Sequence, residues 1–197
     1  SNGQTGSSNP LVLPVTSDLT LTANFGLIAH NLVVNAETGG TATGSGNIPH
    51  GTLKTITATP STGYSFTGWS GTGITDSSSA TTTVNMTLAR TVTANFTLNS
   101  YLVNVALEPS IAGSVNGTGT YSHGDTVTLS VTSNTGNGYY FDYWSGSIGG
   151  SENPFTFQIN SNINLSANFE LNSYPLTVNA TTGGTATGSG NISHGED

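Results

Sequence analysis

The stretch GGTATGSGNIPHG at residues 39–51 returns as GGTATGSGNISHG at residues 183–195. No other feature constrains the fold of this chain as strongly. A catalytic site is built once, so a stretch written twice marks a copied structural unit, and self-similarity at a fixed spacing means a tandem array. Further markers give the period. ANF closes at Phe25, Phe96 and Phe169, spaced 71 and 73 residues apart. A His-Gly pair begins at His50, His123 and His194, spaced 73 and 71. GYSFTGWSG (63–71) answers GYYFDYWSG (138–146). The unit is therefore about 72 residues long, and the two opening stretches lie two units apart. Residues 1–26 are expected to be the C-terminal strands of a partial repeat, 27–97 and 98–170 two full repeats, and 171–197 the N-terminal strands of another partial repeat.

Within a unit the hydrophobic period is two. Val127, Leu129 and Val131 alternate with Thr126, Thr128 and Ser130; Leu165, Ala167 and Phe169 alternate with Asn164, Ser166 and Asn168. Val92, Ala94 and Phe96, and Leu21, Ala23 and Phe25, keep that phase, as does a preceding strand of Leu11, Leu13 and Val15. Such alternation marks half-buried antiparallel strands with one face packed and one face wet. The first full unit reads as six strands, LVVNA, GTATGSG, LKTITATP, YSFTGWS, TTTVNM and RTVTANF, separated by Gly, Pro, Asn and Asp. No stretch shows a helical stripe. The expected fold is all-β, a tandem array of small antiparallel sandwich-like repeats.

Charge narrows the function. Lys54 and Arg90 are the only basic residues against ten acidic ones, a net charge of −8. Nucleic-acid binding needs a basic stripe to neutralise phosphates, so it is excluded, and anionic membrane surfaces are disfavoured. Cysteine is absent, which removes disulfides, thiolate-bound zinc and a thiol nucleophile. No apolar run approaches the roughly 18 residues that span a bilayer.

The combination GGTATGSG…HG…TITATPSTGYSFTGWSG…TVTANF resembles the divergent InlB B-repeat family of bacterial surface proteins. Its marks here are the Gly-Gly/Gly-x-Gly hairpin, the GY-x-F-x-x-W-x-G aromatic block and the closing ANF. The resemblance implies extracellular, cell-surface or secreted tandem modules, used as spacers or stalks in adhesins and other envelope proteins. It implies a β-grasp relationship and brings no catalytic residues and no cofactor.

Individual residues follow the same logic. Trp69 and Trp144 occupy matching positions and could stack on sugars, but a unit of this size needs a large buried group. They are read as structural core with Phe25, Phe96 and Phe169. Strict alternation sets Trp69 in phase with Ser65 and Thr67, opposite Phe66. Tyr140 and Tyr143 stand where the first unit has Ser65 and Gly68, so the core does not require them, and they are the candidate ligand-contact aromatics. His50, His123 and His194 fall one per unit, whereas zinc needs three or four converging ligands; they are read as turn histidines before glycine. No D-x-D run suggests calcium, and no Ser-His-Asp set, G-x-S-x-G elbow or close carboxylate pair suggests catalysis. No metal, no cofactor and no enzymatic activity are expected.

Three functions remain. One is a structural spacer whose linkers TLNSY (97–101) and ELNSY (170–174) lack a flexible Pro/Gly run, giving a semi-rigid rod. The second is a glycan- or host-protein-binding adhesive module acting through Tyr140 and Tyr143. The third is the subunit of a homo-oligomer or filament, assembled by strand addition between partial repeats.

Overall fold

The computed structural model describes residues 10, 12 and 14–196. The first repeat holds β1 (Ala29–Ala36), β2 (Gly40–Thr43), β3 (Gly46–Pro49), β4 (Leu53–Pro60), β5 (Tyr64–Gly71), β6 (Thr81–Asn85) and β7 (Arg90–Leu98). The second holds β8 (Ser100–Glu108), β9 (Gly113–Asn116), β10 (Gly119–Ser122), β11 (Thr126–Ser133), β12 (Tyr139–Gly146), β13 (Phe155–Gln158) and β14 (Ile163–Leu171). A three-residue 3-10 turn, Thr135–Asn137, precedes β12. β15 (Ser173–Leu176) and β16 (Gly190–Ser193) pair as a hairpin. The all-β tandem array read from the sequence is the observed architecture.

Each complete repeat stacks two sheets. In the first, β3-β1-β7-β5 faces β2-β4-β6; in the second, β10-β8-β14-β12 faces β13-β11-β9. The inward positions form one core per repeat. Leu32, Ile56, Trp69, Val84, Met86 and Val92 are buried in the first, and Val103, Val127, Leu129, Trp144, Ile159 and Ala167 in the second. Each large apolar side chain so buried stabilises its repeat by roughly 1.5–3 kcal/mol.

Three details differ from simple alternation. GTATGSG is not one strand: β2 ends at Thr43, and Gly46 opens β3 in the other sheet. The chain turns the corner at Gly44, whose φ of 121° and close approach to the Thr55 carbonyl leave no place for a side chain. The Val34 N–H donates to Ser45 Oγ at 2.9 Å and stitches that corner to β1. Secondly, β1 runs parallel to β7 and β8 parallel to β14. A parallel pair needs a long crossover, which the five intervening strands supply. The first and last strands of a repeat therefore lie side by side. Thirdly, β5 and β12 carry a bulge, between Phe66 and Gly68 and between Phe141 and Tyr143.

The flanks behave differently. Residues 14–28 contain no strand, so the closing strand expected at Leu21–Phe25 is not formed; Leu11 and Leu13 lie outside the described residues. Phe25 is 94% exposed and is not a core residue, which corrects the expectation that grouped it with Phe96 and Phe169. In a complete repeat that strand lies between the first strand and the aromatic block, and the described residues before Phe25 supply neither. At the other flank, Leu176 in β15 is 47% exposed where its counterparts Leu32 and Val103 are each 1%.

Candidate functional site: the tyrosine face and the seams between repeats

The bulge decides which aromatics reach the surface. One extra residue in a strand inverts the phase of everything after it. In β5, Phe66 pairs with Phe96 and Trp69 with Ala94, so Phe66 and Trp69 both turn inward despite odd spacing. Their rings meet edge to face at 5.8 Å. The strict alternation that set them on opposite faces is corrected by the bulge. In β12, Phe141 and Trp144 point inward together, with centroids 5.2 Å apart. The same step brings Tyr140 and Tyr143 to one outer face, opposite Glu170 and Asn168 of β14. They are 40% and 46% exposed.

The tyrosine face is ordered by polar contacts. Tyr140 Oη donates to Glu170 Oε2 at 2.8 Å, and this bond, before all else, holds the Tyr140 hydroxyl above its ordinary pKa. Asn168 Nδ2 donates to the Tyr143 carbonyl at 3.1 Å and to Ser145 Oγ at 2.8 Å. Two phenol rings over a carboxylate, amides and hydroxyls can stack on and hydrogen-bond a neutral polar ligand. The first repeat presents Ser65 and Gly68 instead.

The two tryptophans are both buried, Phe169 is buried and Phe96 packs half-buried on the first core. The indole N–H of Trp69 donates to the Ser79 carbonyl at 3.0 Å, and that of Trp144 to the Glu152 carbonyl at 2.9 Å. Neither indole is available to a ligand.

The histidines divide into two environments. His50 is exposed, and its Nδ1 lies 2.9 Å from His30 Nε2. His123 and His194 sit instead at the seams, against the glycine that opens the aromatic block of the preceding repeat. Two imidazoles are too few for a structural zinc site, and among the described residues no group of three or more His, Asp or Glu converges. Asp76 serves its own loop: it accepts from Ser78 Oγ at 2.6 Å and Ser78 N–H at 2.9 Å, which holds its carboxyl below the ordinary value. Lys54 follows the inward phase of Ile56 and Ala58 and is half-buried at the start of β4.

A groove lined by Tyr174, Leu176, Ile192 and His194 opens on the β15–β16 hairpin. At Leu176 the groove is open where Leu32 and Val103 of the complete repeats are buried. The residues missed from sequence are the bridging Asn99 and Asn172 and the partner Glu170. The matching TLNSY and ELNSY linkers were their signal, since a spacer of no consequence has no reason to repeat.

A family model described as the divergent InlB B-repeat domain matches residues 30–100 and again 103–173. No curated protein and no solved structure matches the chain. Among the described residues no helix is long and apolar enough to cross a membrane.

Proposed function

The chain belongs to the divergent InlB B-repeat domain family, and from that premise we propose that it is a non-enzymatic spacer or stalk in an extracellular bacterial surface protein. One observation carries the reading. β7 ends at Leu98 and β8 begins at Ser100, so only Asn99 separates the last strand of one repeat from the first strand of the next. Only Asn172 separates β14 from β15. A strand-to-strand connection of one residue has none of the slack of a flexible linker. Repeats joined in this way project whatever they carry at a set distance. Sparse charge and Thr-rich outer strand positions suit a surface that acts by length.

Small-angle scattering across a concentration series tests this. The expected result is an elongated monomer of constant dimensions. A broad distribution of bent shapes would defeat the stalk, and growth into rods with concentration would favour the filament assembled by strand addition instead.

The outer tyrosine pair supports a second reading, adhesion through a glycan or host protein. Its test is a glycan-array comparison of the unaltered chain with Tyr140→Ala/Tyr143→Ala; binding lost only in the variant would establish it, and equal profiles would remove it.

A further inference from the structure

We infer that the His-Gly turn of each repeat is a docking surface for the glycine-tyrosine turn of the repeat before it, with a linker asparagine as the bridge. The Asn99 N–H donates to the Gly63 carbonyl at 2.8 Å, and the Asn99 carbonyl accepts the His123 N–H at 2.8 Å. One residue thus ties a turn of the first repeat to a turn of the second. The chain of bonds recurs at the next seam. Asn172 N–H donates to the Gly138 carbonyl at 2.8 Å, and His194 N–H to the Asn172 carbonyl at 2.8 Å.

The side chains complete the seam. Gly63 and Gly138 have φ of 80° and 77°, and in each case a Cβ would run into the imidazole of His123 or His194. Glycine is needed twice over, for the left-handed backbone and for the ring that lies against it. Tyr101 meets His123 edge to face at 6.0 Å, and Tyr174 meets His194 at 6.3 Å. The Nδ1 atom of His123 is buried there without a hydrogen-bond partner. Its ring is therefore held by packing against Gly63 and Tyr101.

His50 provides the internal control. Its N–H donates to the Ile28 carbonyl at 2.7 Å, the same bond that His123 makes to Asn99. Yet its ring is exposed and bonded to His30. The turn therefore forms without a covered imidazole, and the covered imidazole serves the seam. The His30–His50 face is the same docking surface in open form, and the occupant it fits is a glycine-tyrosine turn of another repeat of this kind. This goes beyond the spacer reading, which requires only that repeats be joined; here each recognises its neighbour.

The test is native-state amide exchange by NMR on the whole chain. Gly63→Ala alters only the first repeat, yet the His123 amide is expected to exchange at least tenfold faster, with His50 and His194 unchanged. His123→Ala, which alters only the second repeat, is expected to accelerate the Asn99 amide to a similar extent. His50→Ala is expected to leave both within twofold. An unchanged Asn99 amide in His123→Ala overturns the inference, as does a Gly63→Ala effect confined to the first repeat. Should Gly63→Ala unfold that repeat, the His123→Ala arm decides alone. A flexible shape by scattering would defeat the stalk while leaving this result to stand or fall by itself.

Discussion

Thr82 and Val84 of the first repeat stand where the second has Phe155 and Phe157, and the two cores are completed by different means. In the second, Phe155 stacks on Trp144 with centroids 6.1 Å apart, and Phe157 lies 5.6 Å beyond it. Asn153 then straps the adjacent strand: its Oδ1 accepts the Val131 N–H at 3.1 Å and its Nδ2 donates to the Val131 carbonyl at 2.9 Å. In the first, the buried Thr82 hydroxyl accepts the Asp76 N–H at 3.1 Å. Thr75 and Thr83 hydroxyls meet at 2.8 Å, and Asp76 gathers Ser78. Polar bonds thereby draw the loop over Trp69, whose indole N–H finds Ser79. One template tolerates aromatic volume or a hydrogen-bonded loop because either leaves the indole N–H paired, and an unpaired buried donor is what a small core can least accommodate.

The sharpest probe of that contrast is truncation of each tryptophan. Trp144→Ala and Trp69→Ala are each expected to cost about 3–5 kcal/mol by urea denaturation, with Trp144→Ala the larger because two rings lose their partner rather than one. A larger loss in the first repeat would break the contrast. Next is Asn153→Ala. It strands a backbone donor and an acceptor beside the buried Val131, at about 1–3 kcal/mol, and its effect on thermal unfolding should fall on the second repeat alone.

Smaller effects separate the repeats by pH. Asp76 is held below its ordinary 3.8 by Ser78, so its contribution is complete above that value and is lost as pH falls through the lowered one. Tyr140 is held above its ordinary 10.0 by Glu170; that contribution is complete below 10.0 and is lost as pH rises through the raised value. NMR shifts should therefore move first around residues 76–79 in acid and first around Tyr140 and Glu170 in alkali. Movement of both regions at the same end would contradict the assignment. Last, Tyr140→Phe is expected to change stability by no more than about 1 kcal/mol, since an exposed side-chain bond contributes little, and to abolish the alkaline response at Glu170.

Much of this was legible in the residues. The period of about 72, the inward phase of Val127, Leu129 and Leu165, and the placement of Tyr140 and Tyr143 as aromatics the core does not need all come from internal comparison. Phe25 shows where that comparison stops. It has the same letters around it as Phe96 and Phe169, but burial is a property of the partners on either side of a strand, and letters within one strand do not report them.

The sequence by itself determined the repeat, the strand-forming alternation and the absence of a basic surface, because each is a property of neighbouring residues or of simple counts. Only the tertiary structure decided the rest. The bulges at Thr67 and Asp142, which turn each tryptophan inward beside a phenylalanine, exist because a facing strand supplies one residue against two. The split of β2 from β3, the parallel closure of first strand on last, and the histidine lying on a glycine some 60 residues before it likewise arise between segments distant in the chain. Alternation states that a strand has two faces; what each face meets is settled only when the sheets and the neighbouring repeat are in place.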